Sequence, residues 1–343
     1  MAKDFIPMRA TYDGISPVIN GDLAFAGGGA VVLGRVTLGD RAWLGAFSVL
    51  RADGHDVIIG DNFHLGDHAT VHIAHDIYPT NIGDHATVGS NAVIHACDVG
   101  DGCVVEQDAV ILDGASVGAG AVISKGAVVF PRSQLEGGWL YTGSPAKPVK
   151  KLSPAELDGY HQKIRGETSS LAGDENQRVF DLNCFVAHSA QVQGQVSAEE
   201  GVGIWYGCHL NANTHRITIG AGSNVQDNSI LRCKASDIVI GPNVTIGHNV
   251  TLSDCTIEQG SLIGIGAVIA AGTVVESDVL VAAGAQTEAG QRLTKGKVWA
   301  GRPAREIGVM DDKKREMMSE ILSLYRAYAI SFHSTPHKPL TSA

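Results

Sequence analysis

The sequence predicts a mainly β protein built from two tandem parallel β-helix domains, each followed by an α-helix. Three observations carry that prediction. An aliphatic residue recurs every six positions, a period that belongs to neither a strand nor a helix. The whole pattern occurs twice. After each copy comes a stretch that abandons the six-residue step and reads as a helix.

The step begins at Leu38 and Leu44 and continues through Ile59, Leu65 and Val71. Five extra residues, 76–80, delay the next members, Ile82, Val88 and Ile94. Val99, Val105, Ile111, Val117, Ile123 and Val129 then follow six apart. Such a period fits a solenoid whose coil has three flat sides, each a short strand and a corner, with the aliphatic residue facing inward. A small residue beside it is expected to permit the tight corner.

The second copy begins near Phe180. VLRADGHDVIIGDNFHLGDHATVH, from Val49, aligns with HLNANTHRITIGAGSNVQDNSILR, from His209, at an offset of 160 (209 − 49). Past a shorter loop the offset is 158: TVGSNAVIHACDVGDG, from Thr87, aligns with TIGHNVTLSDCTIEQG, from Thr245. Four segments result: a first β-helix over 1–152, a connecting helix and linker over 153–176, a second β-helix over 177–309, and a C-terminal helix and tail over 310–343. Ser153 is placed to cap the connecting helix, with Pro154 in its first turn and Glu156 completing a capping box. About eighteen helical residues would span about 27 Å and carry the chain back along the first prism. The last helix is expected from Asp311 to Ser331, and the tail HSTPHKPLTSA is expected to be unstructured.

Composition narrows the function. The net charge of −10 argues against nucleic acid or an anionic membrane surface as a partner. No apolar run is long enough to span a bilayer, and the first residues lack the apolar core of a signal peptide, so a cytoplasmic protein is expected. Six cysteines without a CxxC pair read as reduced thiols.

His72 and His95 are the candidate chemistry. They lie 23 residues apart, and removing the five inserted residues leaves eighteen, one full coil. Both directly follow an inward aliphatic residue, so they should stack on one edge about 4.8 Å apart, where two imidazoles can share a metal. A plain surface histidine ladder is the alternative, since His55, His64, His68, His75 and His85 stand nearby.

The segments VHIAHD, TVGSNAVIHAC, LDGASVGAGAVI and GGWLYTGSPAKPV resemble the gamma-class carbonic anhydrases, hexapeptide-repeat proteins. That resemblance implies the left-handed sense of the helix, a homo-oligomer, and a metal held by two histidines of one subunit and a third from a V/I-G-H turn of its neighbour. Here that turn is Val88-Gly89-Ser90 in the first copy and Ile246-Gly247-His248 in the second. The second copy has Arg232 and Ser253 where the first has His72 and His95. Each copy keeps the half that the other has lost, so His72, His95 and His248 form the expected metal set. Spacing agrees: position 90 precedes 95 by five residues, nearly one side of the triangle, so the third ligand cannot come from the same prism.

The resemblance also offers Gln226, Asp67 and Tyr141 as candidate catalytic residues. Gln226, with Asn224 and Asp227, keeps the family's Asn-x-Gln-Asp segment, and Gln226 is expected to hydrogen-bond the metal's water. Asp67 is either an orienting partner or a structural residue, and Tyr141 matches a position near the family's site. Arg51 and Asp53 keep an Arg-x-Asp pair expected to lock an interface. The family's acidic proton-shuttle loop is replaced by an insertion carrying His75 and Asp76. Cys97 and Cys255 read as buried structural thiols.

The function expected is reversible hydration of CO2 by hydroxide generated on Zn2+, with Fe2+ or Co2+ equally suited to three histidines. A small-molecule substrate is implied. Two other readings stay open: a thioesterase or acyltransferase that uses coenzyme A, and an inactive assembly protein.

Overall fold

The computed structural model describes residues 6–166, 178–180, 184–332 and 337–340. These fall into two compact units, one of 6–166 with 337–340, the other of 178–180 with 184–332. Each unit is a parallel β-helix of short strands, as the six-residue step predicts, with the left-handed sense that the resemblance implies, and each carries one α-helix.

In the first unit the three walls are set by three inward columns. Ile59, Ile82, Val99 and Val117 are successive register partners on one wall. Leu65, Val88, Val105 and Ile123 form the second, and Leu50, Val71, Ile94 and Ile111 the third. All are buried in one continuous core. The second unit repeats this with Val225, Ile246 and Ile263 on one wall and Leu210, Leu231 and Leu252 on another.

The small residue after the aliphatic one has a different physical cause from the corner expected. Gly66 does not need an unusual φ. A Cβ there would lie 2.6 Å from the backbone nitrogen of Ser90 on the next coil, so stacking demands glycine. The corner turns two residues later, at His68 (φ 54°), Asn91 (φ 58°) and Asp108 (φ 60°), in the left-handed region. The five-residue insertion closes on itself through an antiparallel bridge between Ala74 and Tyr78. The strand then resumes at Thr80, with Ile82 back in register beside Ile59.

Helix α1 runs Pro154–Arg165, with Ser153 and Glu156 forming the expected capping box. It has 12 residues rather than about eighteen, because Gly166 closes it; residues 167–177 lie outside those described. Ile164 packs on Val104 and Val122. His161 and Arg165 bind the Thr87 hydroxyl at 2.8 and 2.9 Å, and Lys163 pairs with Glu106 at 2.8 Å. The helix thus lies along the outside of the second wall and returns toward its early coils.

Helix α2 runs Asp312–Phe332 and buries Met318, Tyr325, Tyr328, Ala329 and Phe332. Part of the tail expected to be unstructured is instead a strand. His337–Pro339 pairs antiparallel with Met8–Ala10. The Leu340 amide donates to the Pro7 carbonyl at 2.7 Å, and Leu340 is 5% exposed within the core of the first unit. Burial of Leu340 and the backbone hydrogen bonds of the strand act together against the entropy of ordering this segment. Residues 333–336 and 341–343 lie outside those described.

All six cysteines are buried. Burial pushes the Cys103 thiol from 9.0 up to about 11 and Cys255 up to about 12. Folding therefore favours the protonated thiol, and the stability it contributes should be lost as pH rises through about 9 and above. At pH 8, iodoacetamide should leave the native protein unmodified and add six groups in guanidinium, read by mass spectrometry. Deleting residues 333–343 should cost about 2 kcal/mol through the loss of Leu340. An unchanged denaturant midpoint would count against that account.

Candidate metal centre

In the first unit, His72 ends the strand Thr70–His72 and His95 ends Val93–His95. The two are register partners on adjacent coils, as their spacing predicts. Each follows an inward residue, so both rings leave the prism on the same edge. Nδ1 of His72 lies 3.3 Å from Nε2 of His95.

The far nitrogen of each ring meets a carboxylate. His72 Nε2 is 3.0 Å from Asp53 Oδ1, and His95 Nδ1 is 2.6 Å from Asp113 Oδ1. Asp53 also accepts from Arg51 Nε at 2.5 Å, and both side chains are fully buried. Burial opposes the charge on Asp53, but Arg51 and His72 together hold its carboxyl well below the usual carboxylate range. Asp113 is lowered too, with His95 outweighing burial. An ionised carboxylate only accepts, so it draws the imidazole proton to the nitrogen beside it. The two facing nitrogens then both present lone pairs, and lone pairs 3.3 Å apart are stable only around a positive charge. Two bonds of about 2.0–2.1 Å at a tetrahedral angle hold their donor atoms about 3.3–3.4 Å apart. The pair therefore fits two ligands of one tetrahedral ion.

In the second unit, His248 lies two residues past the inward Ile246 and is 1% exposed. Its Nδ1 is 3.2 Å from Asp227 Oδ2, and its Nε2 is 3.2 Å from the Tyr325 hydroxyl on α2. Asp227 is fixed by the Tyr206 amide, which donates to Oδ1 at 3.0 Å. The neighbouring Gln226 Nε2 donates to Asn224 Oδ1 at 3.2 Å, and both side chains are buried. Arg232 and Ser253 are register partners, repeating the positions of His72 and His95 with no imidazole.

The remaining sequence candidates have other contacts. Asp67 Oδ1 accepts from the Ala46 amide at 2.8 Å, the same corner bond that Asp227 makes with Tyr206. Its coil neighbour is Ser90, so it has no histidine to orient. Tyr141 continues the inward column below Ile123 and donates to the Glu136 carbonyl at 2.9 Å. His64 stacks on Trp43 and is pushed down to about 4 by burial and by Arg165. His75 lies 3.4 Å from Asp76 within the insertion.

Sequence reasoning missed three of these residues. Asp53 is expected to lock an interface with Arg51, and its contact with His72 is not part of that expectation. Asp113 and Tyr325 were not singled out. Asp113 lies two residues past Ile111 on the next coil, so the six-residue phase could have found it. Tyr325 sits in the apolar stripe of α2 and gives no signal.

Comparison with known proteins fits this geometry. The hexapeptide repeat of succinyl-transferase matches residues 79–111 and 255–285, one segment in each copy. Gamma carbonic anhydrase 1, mitochondrial, of Arabidopsis thaliana is 38% identical over 169 residues, 47% of this chain and 62% of its own length. Gamma carbonic anhydrase 2, mitochondrial, of the same plant is 36% identical over 42% of this chain and 55% of its own. Over nearly half of its length the chain is thus similar to gamma-class carbonic anhydrases. It spans about three-fifths of the length of the curated family members it matches. Among solved structures, a hexapeptide transferase family protein from Anaplasma phagocytophilum is 31% identical over 45% of this chain and 92% of that one, at TM-score 0.44. A Desulfovibrio desulfuricans protein with a provisional acetyltransferase name matches 96% of this chain and 83% of its own at TM-score 0.56. With 13% identity, that likeness extends to the fold alone. Among the described residues no helix is long and apolar enough to cross a membrane.

The two carboxylates beside His72 and His95 should be separable by mutation. Asp113→Ala should weaken Zn2+ or Co2+ binding about 10- to 100-fold with little change in melting temperature, because Asp113 is half-exposed. Asp53→Ala should weaken binding similarly and also cost about 3 kcal/mol, because it takes this carboxylate from the buried Arg51. Calorimetric titration and denaturant melts read the two effects.

Proposed function

We propose that the protein is a metal-dependent enzyme of gamma carbonic anhydrase type that interconverts CO2 and bicarbonate. His72 and His95 of the first copy and His248 of the second would hold one divalent ion, each offering one ring nitrogen. Zn2+ is the expected ion, with Fe2+ or Co2+ compatible with the same donors. The observation that carries this reading is the pair of facing nitrogens, 3.3 Å apart, with their protons drawn to Asp53 and Asp113. The reciprocal losses support His248 as the third ligand, and the Asp227 carboxylate lies 3.2 Å from its Nδ1.

Such an ion, when bound, would acidify water toward neutral pH and so would supply hydroxide as the nucleophile for CO2. The protein's own part is orientation. Asp53, Asp113 and Asp227 fix the tautomer of each histidine. Gln226, tied through Nε2 to Asn224, keeps Oε1 as an acceptor that can orient a proton of the reacting water. Asp67 and Tyr141 keep structural contacts, so no catalytic role is given to them. A homo-oligomer acting on a small molecule, in the cytoplasm, completes the proposal.

The purified protein should contain about one divalent metal per chain by elemental analysis and should hydrate CO2 in a stopped-flow indicator assay. His248→Ala should lose both properties. A metal-loaded, active His248→Ala protein would overturn the shared donor set. Activity that requires coenzyme A, with no CO2 hydration, would favour the acyl-transfer reading instead.

A further inference from the structure

The geometry points to Tyr325 as a positioning residue that competes with the metal for His248. The inference rests on the proposed role of His248 as a ligand and deepens it.

The carboxylate of Asp227, 3.2 Å from Nδ1, draws the imidazole proton to that nitrogen. Nε2 is then the nitrogen left for coordination, and it has a single lone pair. The Tyr325 hydroxyl lies 3.2 Å from that same Nε2, and with the ring proton on Nδ1 the phenol O–H donates to it. One lone pair cannot serve a phenol proton and a cation together. Metal entry at His248 therefore requires the hydroxyl to give up this hydrogen bond.

The hydroxyl does not drift to this place by chance of rotamer. The Tyr325 ring packs edge-on against Trp205 at 5.2 Å and Tyr328 at 5.7 Å. Trp205 is itself held by Phe185 at 4.8 Å and Phe332 at 5.4 Å. Helix α2 is tied to the prism by Arg315 on Asp278 at 2.8 Å and by Arg326 on Asn243. The ring is thus held in place, while the O–H bond can still rotate. An ion about 2.0–2.1 Å from Nε2 on that lone pair would overlap a phenol oxygen 3.2 Å from the same nitrogen, so loading must turn the O–H away and also shift the hydroxyl off the axis. The cost is at least one neutral hydrogen bond to a nitrogen, which sets the lower end of the effect.

The test is Tyr325→Phe, which keeps the ring and removes the competitor. Zn2+ affinity, measured by competition with a chromophoric chelator, should rise about two- to tenfold over wild type. Tyr325→Leu, which also removes the ring packing, controls for a purely structural role and should not gain affinity. Unchanged or weaker binding by Tyr325→Phe would overturn the proposal. A His248→Ala control separates the two readings. If it abolishes binding while Tyr325→Phe has no effect, competition fails and the ligand assignment survives. If it leaves binding intact, the assignment itself fails. Should Tyr325→Phe not fold, the wild-type protein still decides the matter. Saturation with Zn2+ should shift the tyrosine bands of its near-ultraviolet difference spectrum, and an unaltered spectrum would overturn the competition.

Discussion

Parallel pairing in register between successive coils is the constraint on which the site depends. Val71 and Ile94 are partners on the inward face, so His72 and His95 become partners beside them. A slip of one residue would turn both imidazoles to the other side of the wall. The insertion at 76–80 threatens that register. It is tolerated because Ala74 bridges Tyr78 and the Thr80 hydroxyl donates to the His72 carbonyl at 2.5 Å, closing the loop directly beneath the ligand.

The same geometry explains how two copies could diverge and still retain one set of donors. In both copies an aspartate two residues past an inward residue holds the corner amide of the coil above, Asp67 with Ala46 and Asp227 with Tyr206. Only Asp227 has a histidine on the following coil. Loss of that histidine at Ser90 left Asp67 with a structural task, so the carboxylate alone does not mark a site. In the other direction, Arg232 and Ser253 occupy the stacked positions of the second copy without a buried charge pair to match Arg51 and Asp53.

Much of this was legible from the residues. The six-residue step gave the inward columns, the eighteen-residue remainder gave the stacking of His72 on His95, and the Ser153–Glu156 pattern gave the start of α1. What escaped depends on side-chain reach rather than on phase. Asp53 stands one coil before His72 but three residues past Leu50, and only the bent path of the strand brings its carboxylate to the ring. Tyr325 reads as one more member of an apolar helical stripe, because its hydroxyl is the only part that leaves the core. The short α1 and the ordered strand at 337–339 escaped for a different reason. Both are decided by what a prism surface can accept, which local propensity does not report.

The strand His337–Pro339 has a consequence for the order in which the molecule can be made. It completes the first unit, yet the ribosome adds it only after every residue of the second. Until then Met8–Ala10 presents an open edge, and the end of the first core lacks Leu340. Vectorial synthesis therefore leaves the earliest part of the chain exposed for longest, a window in which a chaperone or another nascent strand could occupy that edge.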